Sequence, residues 1–201
     1  MHDYEALELL LTYAIPRKNV KPIAKNLISQ FGSLRIILDT PLEELKSFPS
    51  LGPSSATLIK LIKDICGLYL LDRAKDKDLL TSPQRVVDFA HMKLAGLPHE
   101  AFMVIFLNTQ NEIIAHEILN EGTVDQVAVY PRRIIERALA HHAAGLVLVH
   151  NHPSGYTNPS DEDKKLTRAV NDASRLIDIR LLDHIIVGTH GFFSFKENGD
   201  I

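Results

Sequence analysis

Gly145-Leu146-Val147-Leu148-Val149-His150-Asn151-His152-Pro153-Ser154-Gly155 is the run from which the rest of this chain is best understood. Gly145–Val149 is continuously apolar and predicts a strand buried on both faces, as strands inside an α/β sheet are. In extended chain, residues two apart point to the same side. His150 and His152 can therefore present both imidazoles to one point beyond the strand end, the edge at which α/β proteins build their sites. Pro153-Ser154-Gly155 turns the chain, Ser160 opens the next helix, and Asp163 stands in that helix's first turn.

Two neutral imidazoles and one carboxylate form a three-ligand set for zinc that leaves a fourth position open to water. With a single anionic ligand, such a site keeps positive charge and can acidify that water towards neutrality. A plainer reading stands beside this one. Ser160-x-x-Asp163 is also an ordinary helix start, with Ser160 as N-cap and Asp163 mimicking the acidic half of a capping box. A His-x-His pair taken alone is often incidental. The conjunction of buried strand, paired histidines and Ser-x-x-Asp favours ligation, and capping and ligation are compatible for the same residues.

Outward from this run, helix-like and strand-like segments alternate, so 80–201 reads as an α/β domain. Ser82–Ala95 is a helix with Ser82 as cap and Pro83 at its first position. Ala101–Asn108 is a strand, Thr109-Gln110-Asn111 turns it, and Glu112–Asn120 returns as its hairpin partner. Pro131–His142 is helical. Ser160–Ile177 is amphipathic, with Leu166, Ala169, Val170, Ala173, Leu176 and Ile177 on one stripe. Ile179–Val187 and Phe192–Phe195 close the chain as strands. Residues 1–75 read instead as a small all-helical domain: Tyr4–Tyr13, Pro22–Phe31 ending at Gly32, Leu34–Leu38, Pro41–Lys46 capped by Thr40, then a turn through Phe48–Ala56 into a helix to about Leu71. The mixed-charge run Asp72–Asp78 suits the boundary between the two.

Composition narrows the classes. The 201 residues are 45% hydrophobic and 23% charged, too apolar for disorder. The longest apolar runs, such as Ala143–Val149, are strand-sized, far short of the roughly 20 residues a membrane helix needs. No basic segment followed by an apolar one opens the chain, so a cytoplasmic location is expected and a membrane partner is not. The single cysteine, Cys66, excludes a disulfide framework and a thiolate cluster. A net charge of −3 argues against a strongly basic nucleic-acid binder. No P-loop and no Gly-x-Gly-x-x-Gly occurs.

His150-x-His152-x7-Ser160-x-x-Asp163 matches the JAMM motif of JAB/MPN metalloproteases, and the wording His150-Asn151-His152-Pro153-Ser154-Gly155, with Leu107–Asn111 before it and Leu182–Gly188 after it, resembles the RadC branch of that superfamily. The resemblance implies a cytidine-deaminase-like α/β domain carrying Zn2+, preceded by a helix-hairpin-helix region. It implies hydrolysis of peptide or isopeptide bonds in a protein or peptide substrate, with His150, His152 and Asp163 as metal ligands. It also implies a glutamate upstream of the ligands that takes the proton of the attacking water, and Glu100 is the match. Glu112, Glu117 and Glu121 read as solvated edge charges. Ser160 would donate a hydrogen bond to the water or to the developing oxyanion. True cytidine deaminases need paired cysteines that Cys66 cannot supply. His141 and His142 read as helix-end residues, and His184 as a structural histidine, with support of a ligand as the lesser option.

Ser50-Leu51-Gly52 resembles the Gly-hydrophobic-Gly turn of helix-hairpin-helix modules, which bind phosphates through backbone amides. Ser50 stands in place of the first glycine, and Pro53 removes one donor. Ser50, Gly52 and Lys60 are the candidate nucleic-acid contacts, with Lys63 alongside, although the region is near charge balance. The alternative function is thus a DNA-associated protein, linked to repair or recombination, whose helical module contacts DNA and whose metal domain acts on nucleic acid or a bound protein.

Overall fold

The computed structural model describes residues 2–75, 83–94, 96–121, 129–189 and 191–201. The chain divides into two compact units, Met1–Leu68 and Tyr69–Ile201.

The first unit is built from α1 (Asp3–Ala14), α2 (Lys21–Phe31), α3 (Leu34–Asp39), α4 (Leu42–Ser47) and the first part of α5 (Pro53–Lys75). Leu7, Leu11, Ala24, Leu27, Ile37, Leu45, Ala56 and Ile59 are buried together as its core. Gly32 ends α2 at φ 85°, a left-handed conformation that suits glycine. α4 starts one residue later than expected, and Pro41, not Thr40, occupies the N-cap position. Thr40 closes the preceding helix instead, its hydroxyl donating to the Ile36 carbonyl at 2.7 Å. In the turn before α5, Leu51 N–H donates to the Phe48 carbonyl, and Gly52 O accepts from Ser55 and Ala56.

The division between units falls inside α5, ahead of the charged run expected to mark it. The cause is apolar: Leu71 and Ala74 are buried in the core of the second unit. Residues 76–78 of that run and the expected cap Ser82 lie outside the described residues.

The second unit is a mixed α/β fold around a five-stranded sheet of order β2-β1-β3-β4-β5. After α6 (Pro83–Leu94) come β1 (Ala101–Leu107), β2 (Ile113–Glu121), α7 (Pro131–Ala140), β3 (Gly145–Asn151), α8 (Asp161–Arg175), β4 (Arg180–Gly188) and β5 (Gly191–Ser194). Every residue of β1 and of β3 is buried, as the apolar runs Ala101–Leu107 and Gly145–Val149 lead one to expect, and the burial extends to the polar His150 and Asn151. β3 and β4 pair in parallel, so α8 serves as the crossover between them. The other pairs are antiparallel. Alternation sends Met103, Ile105, Val147, Val149 and Ile185 towards Val86, Phe89 and Ala90 of α6. It sends Phe102, Val104, Phe106, Leu146 and Leu148 towards Ile134 and Ala138 of α7 and Val170 of α8.

Two expectations are corrected in this unit. The buried face of α8 is Asp163, Thr167, Val170 and Ser174: of the expected stripe Val170 is buried and Leu166 packs against the core, whereas Ala169, Leu176 and Ile177 are exposed. Leu176 lies 87% exposed just past the helix end. The helix is rotated so that Asp163 and Thr167 of its first turns face inward. Glu117 is not a solvated edge charge: Arg137 of α7 grips it with two guanidinium hydrogen bonds, and His141 Nε2 lies 2.7 Å away. His141 does cap α7, and its ring also packs on Phe106 at 4.5 Å.

Candidate metal centre

His150 lies next to the end of β3 and is fully buried. Its neighbours across the sheet are Phe102 in β1 and Ile186 in β4, so the backbone is fixed from both sides. The Phe102 ring stacks on the imidazole at 5.9 Å and 12°. His152 continues the line past the strand, its amide donating to Val187 O at 3.1 Å. His152 Nδ1 is 2.9 Å from the Tyr156 carbonyl. A carbonyl only accepts, so Nδ1 bears a hydrogen, and in the neutral imidazole Nε2 is then the nitrogen with the lone pair. The loop holding His152 is clamped to β4 at close range. A Cβ on Gly188 would stand 2.4 Å from Gly155 O, and Gly155 itself adopts φ 82°.

Asp163 arrives from the third position of α8 through a capping box. Ser160 Oγ accepts from Asp163 N–H at 3.1 Å, while Asp163 Oδ2 accepts from the Ser160 amide and hydroxyl, each at 2.7 Å. Such a cap contributes about 1 kcal/mol to the helix and aims the carboxylate at the sheet end. His150 Nε2 is then 3.2 Å from Asp163 Oδ1 and 3.0 Å from His152 Nε2, with His152 Nε2 3.6 Å from Asp163 Oδ2. The candidate ligand atoms of these residues all lie within 4.8 Å of one another. Burial opposes charge on Asp163, yet hydrogen bonds from His150, His152 and Ser160 outweigh it and hold the carboxyl far below the usual range. The same contact with Asp163 raises the His152 imidazole against the effect of burial. Two imidazole nitrogens and an anionic oxygen aimed at one point suit a divalent cation. Protons on the same nitrogens are the competing occupants.

Glu100 stands beside this group. Because Phe102 pairs with His150 in an antiparallel ladder, position 100 lies opposite position 152. Glu100 Oε1 is 4.0 Å from His150 Nε2. Its backbone is held by the buried Asn151 amide, whose Oδ1 accepts from Ala101 N–H at 2.8 Å and whose Nδ2 donates to His99 O at 3.1 Å. The peptide groups on both sides of Glu100 are thereby tied to the residue between the two histidines.

Three residues in this neighbourhood escaped the sequence reading or were given a lesser part. Asn151 was passed over as the spacer in His-x-His, although its alternation places it on the opposite face of β3 from His150. Thr167 lies one helical turn beyond Asp163. His184 is fully buried on β4, 2.9 Å from His150 Nδ1 and 2.6 Å from Thr167 Oγ1, with the Phe195 ring stacked on it at 4.8 Å. Burial above all keeps its imidazole well below the ordinary range and therefore neutral. Apolar alternation in β4 makes His184 resemble a packing residue; Thr167 with its one-turn spacing from Asp163 was the available signal.

The first unit presents its candidate contacts differently from the expectation. Ser50, which stands where a Gly-hydrophobic-Gly turn would have its first glycine, takes a left-handed φ of 68°. A Cβ on Gly52 would meet nothing within 4 Å. Lys60, expected to flank a nucleic-acid backbone, instead donates to Leu38 O at 2.7 Å and Thr40 O at 2.9 Å, and burial lowers its pKa. Lys63 is paired with Asp39 at 3.0 Å.

Residues 80–200 match the family described as RadC-like JAB domain. The chain is 40% identical to a UPF0758 protein of Paracidovorax citrulli (strain AAC00-1), covering 99% of this chain and 90% of that one. It is 38% identical to a UPF0758 protein of Stutzerimonas stutzeri (strain A1501) and 40% to one of Polaromonas sp. (strain JS666 / ATCC BAA-500), each over 99% of this chain and 89% of the relative. Likeness of this extent, along almost the whole length, makes the chain a member of the RadC-like JAB domain family.

Proposed function

We propose that the chain is a zinc-dependent hydrolase of the JAMM type that cleaves peptide or isopeptide bonds. The observation that carries this reading is the convergence of His150 Nε2, His152 Nε2 and Asp163 with Glu100 alongside. Those three residues would hold zinc, a set of two nitrogens and one oxygen that matches catalytic zinc chemistry. When bound, zinc would supply Lewis acidity for a water and for the amide carbonyl under attack.

The protein's own groups do the rest. Glu100, 37% exposed at its side chain, can meet solvent on one side and the ligand group on the other. It accepts the proton of the attacking water and returns it to the leaving amine. Ser160, as it stands, orients the ligand carboxylate; to donate to an oxyanion its hydroxyl must turn away from Asp163 Oδ2. A cavity of about 260 Å³ beside His152, lined by Leu97, Pro98 and Pro153 together with Asn151 and Thr189, offers the substrate a mixed polar and apolar wall.

Metal analysis after zinc loading and removal of free ion tests the reading. One equivalent of zinc per chain is expected, retained in Glu100→Gln and lost in His150→Ala and Asp163→Ala. Absence of stoichiometric zinc from the wild type would overturn it.

A further inference from the structure

Which of its two nitrogens His150 offers to a cation is not fixed by its ring position, because a neutral imidazole can carry its hydrogen on either. Behind the ring runs a buried chain of contacts: His150 Nδ1 to His184 Nε2 at 2.9 Å, His184 Nδ1 to Thr167 Oγ1 at 2.6 Å, and Thr167 Oγ1 to the Asp163 carbonyl at 2.6 Å. The carbonyl only accepts, so the single hydroxyl hydrogen of Thr167 goes to it. Thr167 Oγ1 then accepts, and His184 Nδ1 bears the hydrogen. The one remaining nitrogen of His184, Nε2, is an acceptor. His150 Nδ1 must donate to it. The lone pair of His150 is left on Nε2, the nitrogen that faces His152 and Asp163.

We propose that Thr167 and His184 are positioning residues that set the tautomer of His150 for zinc, a relay that starts and ends on ligand residues, since Asp163 supplies the terminal carbonyl. The inference rests on the zinc reading above. Every donor in the relay meets an acceptor only in this arrangement of hydrogens when Nε2 is to stay free. Without the Thr167 hydroxyl, His184 Nδ1–H would be buried with no acceptor. His184 would then carry its hydrogen on Nε2 and force that of His150 onto the ligand nitrogen. Partners behind a ligating histidine typically control metal affinity by 10- to 100-fold.

The test compares the wild type with Thr167→Val, which keeps the shape and removes the hydroxyl, and Thr167→Ser, which keeps the hydroxyl. Zinc affinity is measured by competition with a chromophoric chelator, and ring-nitrogen tautomers by long-range 1H–15N spectra of the zinc-loaded protein. In the wild type, His150 and His184 should both carry hydrogen on Nδ1. Thr167→Val should bind zinc roughly 10- to 100-fold more weakly, and Thr167→Ser should restore the wild-type affinity. A purely packing role would follow side-chain shape and favour the valine variant over the serine one. Equal zinc affinity and unchanged tautomers in Thr167→Val would overturn the relay while leaving the zinc reading intact. A wild type that takes no zinc would overturn both. If Thr167→Val does not fold, the wild-type spectrum still decides, because hydrogen on Nε2 of His184 in the zinc-loaded protein contradicts the relay.

Discussion

Asn151 shows how much a spacer residue can contribute. Its side chain is 2% exposed and bridges His99 O and Ala101 N–H, the peptide groups on either side of Glu100. Two hydrogen bonds of this kind, one buried and one partly buried, are each worth about 1 kcal/mol, and the groups left unpaired on truncation cost more. Asn151→Ala should therefore lower the unfolding free energy of the zinc-loaded protein by about 2–4 kcal/mol in denaturant titration. Zinc stoichiometry should stay at the wild-type level, because the amide touches none of the ligand atoms. Glu100 touches the cluster only at 4.0 Å, so on the proposed function its replacement acts on rate and not on metal binding. Glu100→Gln should slow single-turnover hydrolysis of any peptide or isopeptide substrate the wild type cleaves by roughly 10²–10⁴-fold, with zinc content unchanged. Full activity in that variant would remove Glu100 from the mechanism. At this scale the sequence was most informative for residues joined by short spacing. His150, His152, Ser160 and Asp163 fall within one strand, one loop and one helical turn, where local geometry follows from local chemistry. Thr167 meets His184 because α8 packs on β4, and His184 meets His150 through the parallel pairing of β3 with β4, neither of which any spacing encodes.

Element by element, the apolar runs announced β1 and β3 because strands buried on both faces leave no polar alternation to misread. The hairpin of β1 with β2 followed from the Thr109-Gln110-Asn111 turn, in which Asn111 takes φ 60°. The rotation of α8 did not follow from hydrophobicity, since the site draws Asp163 and Thr167 inward at the expense of Leu176. The same competition shapes the join between α7 and the edge strand β2, where Glu117 accepts from Arg137 and His141. Hydrogen bonding to Arg137, opposed by partial burial and aided by His141, lowers the Glu117 carboxyl to about 2. A carboxylate whose folded pKa lies below its unfolded one contributes stability above the unfolded value, and loses it as pH falls through the folded one. The contribution should be complete above about pH 4.5 and fade as the pH approaches 2. With side chains partly open to solvent, a contribution of about 1 kcal/mol is expected at neutral pH. Glu117→Gln should remove that amount and flatten the acid limb of a denaturation series, whereas an unchanged limb would show that the pair contributes nothing there.

Across the whole molecule, the two units carry their function with unequal clarity. Five of the sheet unit's buried polar residues, His150, Asn151, Asp163, Thr167 and His184, gather around one end of β3 and the start of α8, and its family match covers 80–200. In the helical unit Ser50 takes a left-handed backbone, and two of the cations expected beside it are engaged elsewhere. Lys60 is held by the carbonyls ending α3, and Lys63 is paired with Asp39. Lys21 and Lys25 lie over the Tyr4 ring at 5.8 and 5.1 Å. Each phosphate neutralised on duplex DNA contributes close to one unit of slope in a plot of log affinity against log salt. Withdrawal of Lys60 and Lys63, on a chain of net charge −3, leaves little of the counterion release on which DNA affinity depends. Binding of the full chain to duplex DNA between about 50 and 200 mM salt should therefore show a slope no steeper than roughly −2. Ser50→Gly, which relieves the left-handed serine, should leave that slope unchanged while stabilising the turn by up to about 1 kcal/mol. A slope of roughly −4 or steeper, weakened by replacing Lys18, Lys21 or Lys25 with alanine, would instead make the helical unit a DNA anchor. The apolar packing around α1–α5 would then be the scaffold for that surface.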